Sequence, residues 1–271
     1  MVSSGTATGV DYVAQYAAVA ARFADAVAEA DLQAAVPACP GWTVRDLVVH
    51  LGNVHAWAAT IVETGAFAQP HGDDPGSHKP RVVSQWYAGK AEDLFRVLRA
   101  TDPDRPAWNF AFGHGAAGFW RRRQMHETTI HAVDLEQATG ATPRIAAEVA
   151  TDGVDEVLTV MLHRMHDRGH AAALSAPLSL LCEDTGRAWT LTPRPAPDET
   201  SVPAQPRRAG TGPTPAPAPL VVDRRHPRAD LVSAPAAVLY QALWKRTPYD
   251  GLQRFGDEDR IAAFLASRLV P

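Results

Sequence analysis

Apolar residues recur three and four positions apart through the first half of the chain, and that period predicts helices. In residues 10 to 30, Val13, Tyr16, Ala20, Phe23 and Val27 form one stripe among strong helix formers. The prolines and glycine of VPACPGW, residues 36 to 42, break the helix, and Thr43 follows as an N-cap with Asp46 in capping-box position. A second helix is expected from about Val44 to Thr60, with His50, Val54 and Trp57 on one face and Asn53 at its edge. The polar stretch FAQPHGDDPGSHKP reads as a loop, and helical spacing returns from Arg81 to Ala100 through Val82, Trp86, Leu94, Val97 and Leu98. TDPDRPAWNFAFGHGAAGF is rich in turn residues yet aromatic, so it reads as a connection that packs rather than flaps. A fourth helix runs from about Ala117 to Ala138, with Gly140 as its stop. Four helices with these connections make a bundle over residues 1 to 143.

Past Pro143 the pattern changes. Ile145 to Arg168 reads as one more helix, after which PLSLLCED and GRAWTLTPRP alternate apolar with polar around a turn at Asp184, Thr185 and Gly186, as in a β-hairpin. Residues 197 to 218 are rich in proline and glycine and read as a long mobile loop. LVVDRR and ADLVSA are expected as two short strands, with closing helices from Ala234 to Trp244 and from Glu258 to Leu269. The fold class is therefore α plus α+β: a helical bundle, then a smaller α+β domain over 144 to 271.

Composition adds exclusions. With 271 residues, 46% hydrophobic and 21% charged, the chain has the make-up of an ordinary globular protein, and a formal charge of −4 offers nothing to nucleic acid or a membrane surface. Cys39 and Cys182 stand far apart, which argues against a disulfide framework and for a reducing, cytoplasmic setting. The N-terminal MVSSGTATGVDYV lacks the basic and apolar regions of a signal peptide, and no apolar run is long enough to span a membrane.

The candidate chemistry lies in the fourth helix. Glu127 and His131 are four residues apart, a net rotation of about 40°, so both side chains leave one face. A metal site in a bundle takes its ligands from facing helices, which points to His50 as the third ligand. A lone mid-helix histidine is more often a satisfied core residue; the ligand-spaced pair on another helix raises this one. Together they give a His2Glu set with a fourth position open, the stoichiometry of a catalytic zinc centre, although nickel, iron or manganese suits it too. His126 and His131 are five apart, about 140° around the helix, so the protease signature HExxH is absent. Asp134 shares the face of His131 and either orients a ligand imidazole, holds a substrate group or is a solvated helix-end acid. Arg121, Arg122 and Arg123 read as a solvated face rather than an anion site, with room for one of the three to point inward; the histidines 163, 166 and 170 read as a solvated helix end, and Cys39 as a buried thiol.

The segments VPACPGWTVRDLVVHLGNVHAW, GFWRRRQMHETTIHAVDLE and ALWKRTPYDGLQRFGDE together resemble the mycothiol-dependent maleylpyruvate isomerase family, in the family's order and over nearly the whole chain. The resemblance implies a DinB-like four-helix bundle followed by a smaller α+β domain. It implies a divalent metal, usually zinc, on the positions of His50, Glu127 and His131, and mycothiol as thiol cosubstrate in a cytoplasmic actinobacterial enzyme, monomer or homodimer. It also implies a carboxylate-binding arginine in the second domain, for which Arg246 in LWKRTP is the match. The Pro-rich insert is not expected of the family. Two other functions stay open: a non-catalytic metal- or ligand-binding protein, and a hydrolase using metal-bound water.

Overall fold

A computed structural model describes residues 9–170, 172–193, 220–223 and 230–271, so the Pro-rich stretch at 197–218 lies outside the described residues. The chain divides into two units, Met1–Val149 and Ala150–Pro271.

The first unit is built on four long helices. In α1, Tyr12–Glu29, the Asp11 carboxylate accepts the amides of Val13 and Ala14, and the buried stripe is Tyr16, Val19, Ala20, Phe23, Ala24 and Val27. In α2, Val44–Thr64, the expected capping box is present: Thr43 N donates to Asp46 Oδ2 over 2.9 Å, and Asp46 N donates to Thr43 Oγ1 over 3.3 Å. This helix ends at Gly65 with φ +73°, where a Cβ would stand 2.8 Å from the Pro106 carbonyl oxygen, so glycine is required twice over. Helices α3, Pro80–Ala100, and α4, Gly118–Ala138, complete the set. α1 packs on α3 and α4, and α2 packs on the same two, which closes the four into a ring. Burying a side chain such as Phe23 or Leu51 in its centre stabilises the ring by roughly 1.5–3 kcal/mol each.

The connections are more ordered than their composition suggests. The polar loop after α2 is tied down by Arg45 on Asp74 at 2.7 Å, Lys90 on Asp73 at 2.8 Å, and a two-way hydrogen bond between Asn53 and Asp73. The aromatic connection before α4 packs, as its aromatic residues suggested. It holds a two-stranded antiparallel ladder, β1 Pro106–Asn109 and β2 Gly113–Ala116. The GHGA sequence of β2 has no apolar alternation to announce a strand; its register comes from pairing with β1, whose Trp108 is packed against Trp57 and Trp120.

In the second unit the expected single helix is three pieces: α5 Ala147–Glu156, whose first residues still belong to the first unit, a π-helical turn Val157–Met161, and α6 Leu162–Asp167. The run from Val157 to Leu162 is apolar at nearly every position, so no period could reveal the wider turn. The sheet has the order β5-β4-β3-β6-β7, with β3 Leu178–Cys182, β4 Ala188–Pro193, β5 Leu220–Asp223, β6 Asp230–Ala234 and β7 Gln253–Phe255. β3 and β6 are parallel and the other pairs antiparallel. The β3–β4 hairpin and the two next strands are where alternation placed them. β7 is exposed at all three positions and carries no alternation. Helices α7, Ala236–Leu243, and α8, Glu258–Ala266, close the unit, and the fold class is the one the pattern implied.

Candidate metal centre

Helix α4 is buried around most of its circumference, and its buried set includes Arg123, Gln124, His126, Thr128, Thr129, His131 and Asp134. So many polar groups can be withdrawn from water only if they are paired. The threonines donate back along the helix, Thr128 to the Gln124 carbonyl and Thr129 to that of Met125. Gln124 Oε1 lies 2.8 Å from His55 Nδ1 on α2, and His55 Nε2 lies 3.3 Å from the Tyr87 hydroxyl on α3. Complete burial, only partly offset by Gln124, pulls the His55 pKa down to about 4 and keeps this ring neutral.

One turn along α4 the pairing converges on a single oxygen. Glu127 Oε1 lies 3.6 Å from His50 Nε2 and 3.4 Å from His131 Nε2. Among the described residues, His50, Glu127 and His131 form a group whose candidate donor atoms all lie within 4.8 Å of one another. Glu127 and His131 are also engaged on their far sides. Arg123 Nη2 holds Glu127 Oε2 at 3.0 Å, and Asp134 Oδ2 holds His131 Nδ1 at 2.9 Å. Burial opposes the charge on Glu127, yet His131, His50 and Arg123 keep its carboxyl well below the usual range. Burial likewise opposes protonation of His131, but Asp134 and Glu127 outweigh it and push its pKa up to about 9.

The PxCPGW turn lies against this group. Its backbone closes on itself, Val36 N donating to Trp42 O and Trp42 N to Cys39 O, with Gly41 at φ +84°. The Trp42 ring packs on the His50 ring at 4.9 Å, and Cys39 Sγ reaches to 3.7 Å from Asp134 Oδ2. The His50 and His131 rings meet edge to face at 5.2 Å.

The donor set fits a divalent cation. Two imidazole nitrogens and one carboxylate oxygen lie within 4.8 Å of one another, and the second nitrogen of His131 has the carboxylate partner that ligating histidines usually have. His126 is fully buried and outside the group, as its spacing requires. Several expectations are corrected. Asp134 is not a solvated acid: it is wholly buried on His131. Arg123 is not part of a solvated face but is 2% exposed on Glu127, and Arg121 donates to the carbonyls of Leu98 and Thr101. Cys39 is half-buried rather than buried. His163 is buried with Nε2 3.4 Å from Asp167, while His166 is half-buried and His170 exposed. Arg246 is in the second unit, half-buried, with Nη1 donating to the Trp244 carbonyl over 2.8 Å.

Arg123 is the residue that sequence reasoning missed. It stands four before Glu127, the same spacing that paired Glu127 with His131, and that spacing was the available signal.

Residues 13–136 match the family described as mycothiol maleylpyruvate isomerase N-terminal domain. The fold is similar to the crystal structure of the mycothiol-dependent maleylpyruvate isomerase, with a TM-score of 0.59 at 15% identity over 90% of this chain and 91% of that one. It is similar also to a mutant of that isomerase with a histidine replaced by alanine, with a TM-score of 0.57 at 14% identity and the same coverage. No curated protein sequence matches the chain.

Proposed function

With a mycothiol maleylpyruvate isomerase N-terminal domain over residues 13–136, we propose that the chain is a metal-dependent, mycothiol-using isomerase or S-transferase acting on an electrophilic small molecule. His50, Glu127 and His131 are the ligands, and zinc is the ion their two imidazoles and one carboxylate suit best. Bound there, the ion would lower the pKa of the mycothiol thiol so that it is a thiolate at neutral pH.

The chain's own side chains prepare that state. Asp134 holds the His131 proton on Nδ1, so that the proton a bound ion would displace is the one on Nε2, the nitrogen that faces Glu127. Trp42, packed on the His50 ring, restrains its rotation. The mycothiol sulfur then donates its electron pair to an electrophilic carbon, such as the double bond of an unsaturated diacid. The displaced π electrons would pass to the conjugated carbonyl oxygen as an enolate; rotation about the new C–C single bond and collapse of the enolate with expulsion of the thiolate would give the isomer, whereas protonation of the enolate carbon would keep the new C–S bond and give S-transfer. Arg246 is the match for the carboxylate-binding arginine that the family resemblance implies, and a role in binding predicts that Arg246→Met raises KM more than it lowers kcat. The setting that fits this chemistry is the cytoplasm.

The observation that carries the reading is the approach of three ligand atoms to within 4.8 Å in a domain of this family. Metal analysis of protein purified without chelator tests it, with His50→Ala and His131→Ala as references. About one ion per chain is expected in the wild type and little in either variant. Equal metal content in all three would sink the site.

A further inference from the structure

The two oxygens of Glu127 have different neighbours. Oε1 faces His50 Nε2 at 3.6 Å and His131 Nε2 at 3.4 Å, whereas Oε2 is held by Arg123 Nη2 at 3.0 Å. Arg123 comes from the preceding turn of α4, and its side chain is 2% exposed against 20% for Glu127. The ion pair is therefore anchored at its buried end. A guanidinium stays charged at any relevant pH, and its planar fork holds a carboxylate oxygen in a fixed direction. An arginine so deeply buried is expensive to desolvate, and no apolar core needs one.

A carboxylate can offer a divalent ion one oxygen or both. Two imidazoles with both oxygens would fill a tetrahedral ion from protein alone, the arrangement of a closed structural site. Two imidazoles with one oxygen leave a position for an outside ligand. We infer that Arg123 is a positioning residue that holds Glu127 to ligation through Oε1 alone, and so keeps the fourth coordination position open to a thiol. The inference deepens the metal-site reading above and rests on it.

Cobalt(II) is the probe for the test, because a thiolate bound to it gives a charge-transfer absorption. Cobalt-loaded wild type, Arg123→Met and Arg123→Lys are titrated with 2-mercaptoethanol. Arg123→Met is expected to keep its cobalt, since a freed carboxylate binds at least as well, and to lose roughly tenfold or more in thiol affinity. Arg123→Lys, whose ammonium can still reach Oε2 one turn on, is expected to recover thiol affinity to within about threefold of wild type. If circular dichroism shows Arg123→Met unfolded, Arg123→Gln replaces it with the same expected loss. Wild-type thiol affinity in a folded, uncharged variant overturns the inference, as does a folded variant that binds no cobalt. A wild type that takes up no cobalt, or cobalt but no thiol, is a different failure: it removes the proposed site itself.

Discussion

Asp134 Oδ2 lies 2.9 Å from His131 Nδ1, three residues back on the same helix, and this contact decides which ring nitrogen faces Glu127. Asp134 is fully buried, so its charge acts on the imidazole without screening by water. Removing that charge with Asp134→Asn should weaken metal binding by about 10–100-fold while the helix stays folded. Competition against a chelator of known affinity measures the change. Wild-type affinity in a folded Asp134→Asn protein would show that the contact does not tune the ligand.

His55 predicts how stability responds to pH. Burial, opposed by Gln124, brings its folded-state pKa down to about 4, against an ordinary value of about 6.5 in the unfolded chain. Between those values the unfolded chain binds a proton that the folded chain does not. Stability from this residue is therefore complete above about pH 6.5 and falls as pH drops towards 4, by on the order of 3 kcal/mol. Denaturant unfolding at pH 7 and pH 4.5 reads the loss, and His55→Gln should show a flatter dependence. An equally steep dependence in that variant would assign the effect elsewhere.

The two cysteines should differ in reactivity. Cys182 is fully buried, and burial pushes its pKa up to about 12, which leaves almost no thiolate at neutral pH. Cys39 is half-buried beside Asp134. Brief treatment of the native protein with iodoacetamide should label Cys39 and spare Cys182, with both labelled after denaturation, as peptide mass spectrometry would show. Labelling of Cys182 in the native state would contradict its packing.

Gly52 sets how closely α2 and α3 approach. A Cβ there would stand 2.4 Å from the Trp86 ring, nearer than any relaxed contact. Alanine favours the helix backbone by about 1 kcal/mol, but the overpacking outweighs it, so Gly52→Ala should destabilise by about 1–3 kcal/mol. A rise in melting temperature would show that Trp86 can move aside without loss.

Periodicity and spacing made the helices and the grouping of His50, Glu127 and His131 legible in the sequence. Stripes such as Tyr16, Ala20, Phe23 and Val27 announced the first helix, and Thr43 with Asp46 announced the start of the second. His50, Glu127 and His131 could be grouped because four-residue spacing and facing helices are rules of geometry. The features that stayed hidden depend on contacts between distant residues or on runs without a period. The ladder of Pro106–Asn109 with Gly113–Ala116 has no alternation of its own, and the π turn at Val157–Met161 lies in an apolar run that suits several helical pitches. Arg123 groups with its neighbours as a solvated face because charge usually means water, although its four-residue spacing from Glu127 already allows the ion pair that the fold forms. Likewise, nothing in PxCPGW says that its tryptophan will lie against His50.

The most direct test of the proposed thiol-binding metal centre is a calorimetric titration of mycothiol into zinc-loaded protein and into His131→Ala handled identically. Saturable binding to the wild type is predicted, with release of about one proton as the thiol becomes thiolate, and no such binding to the variant. Absence of binding to the zinc-loaded wild type, or equal binding to both proteins, would contradict it.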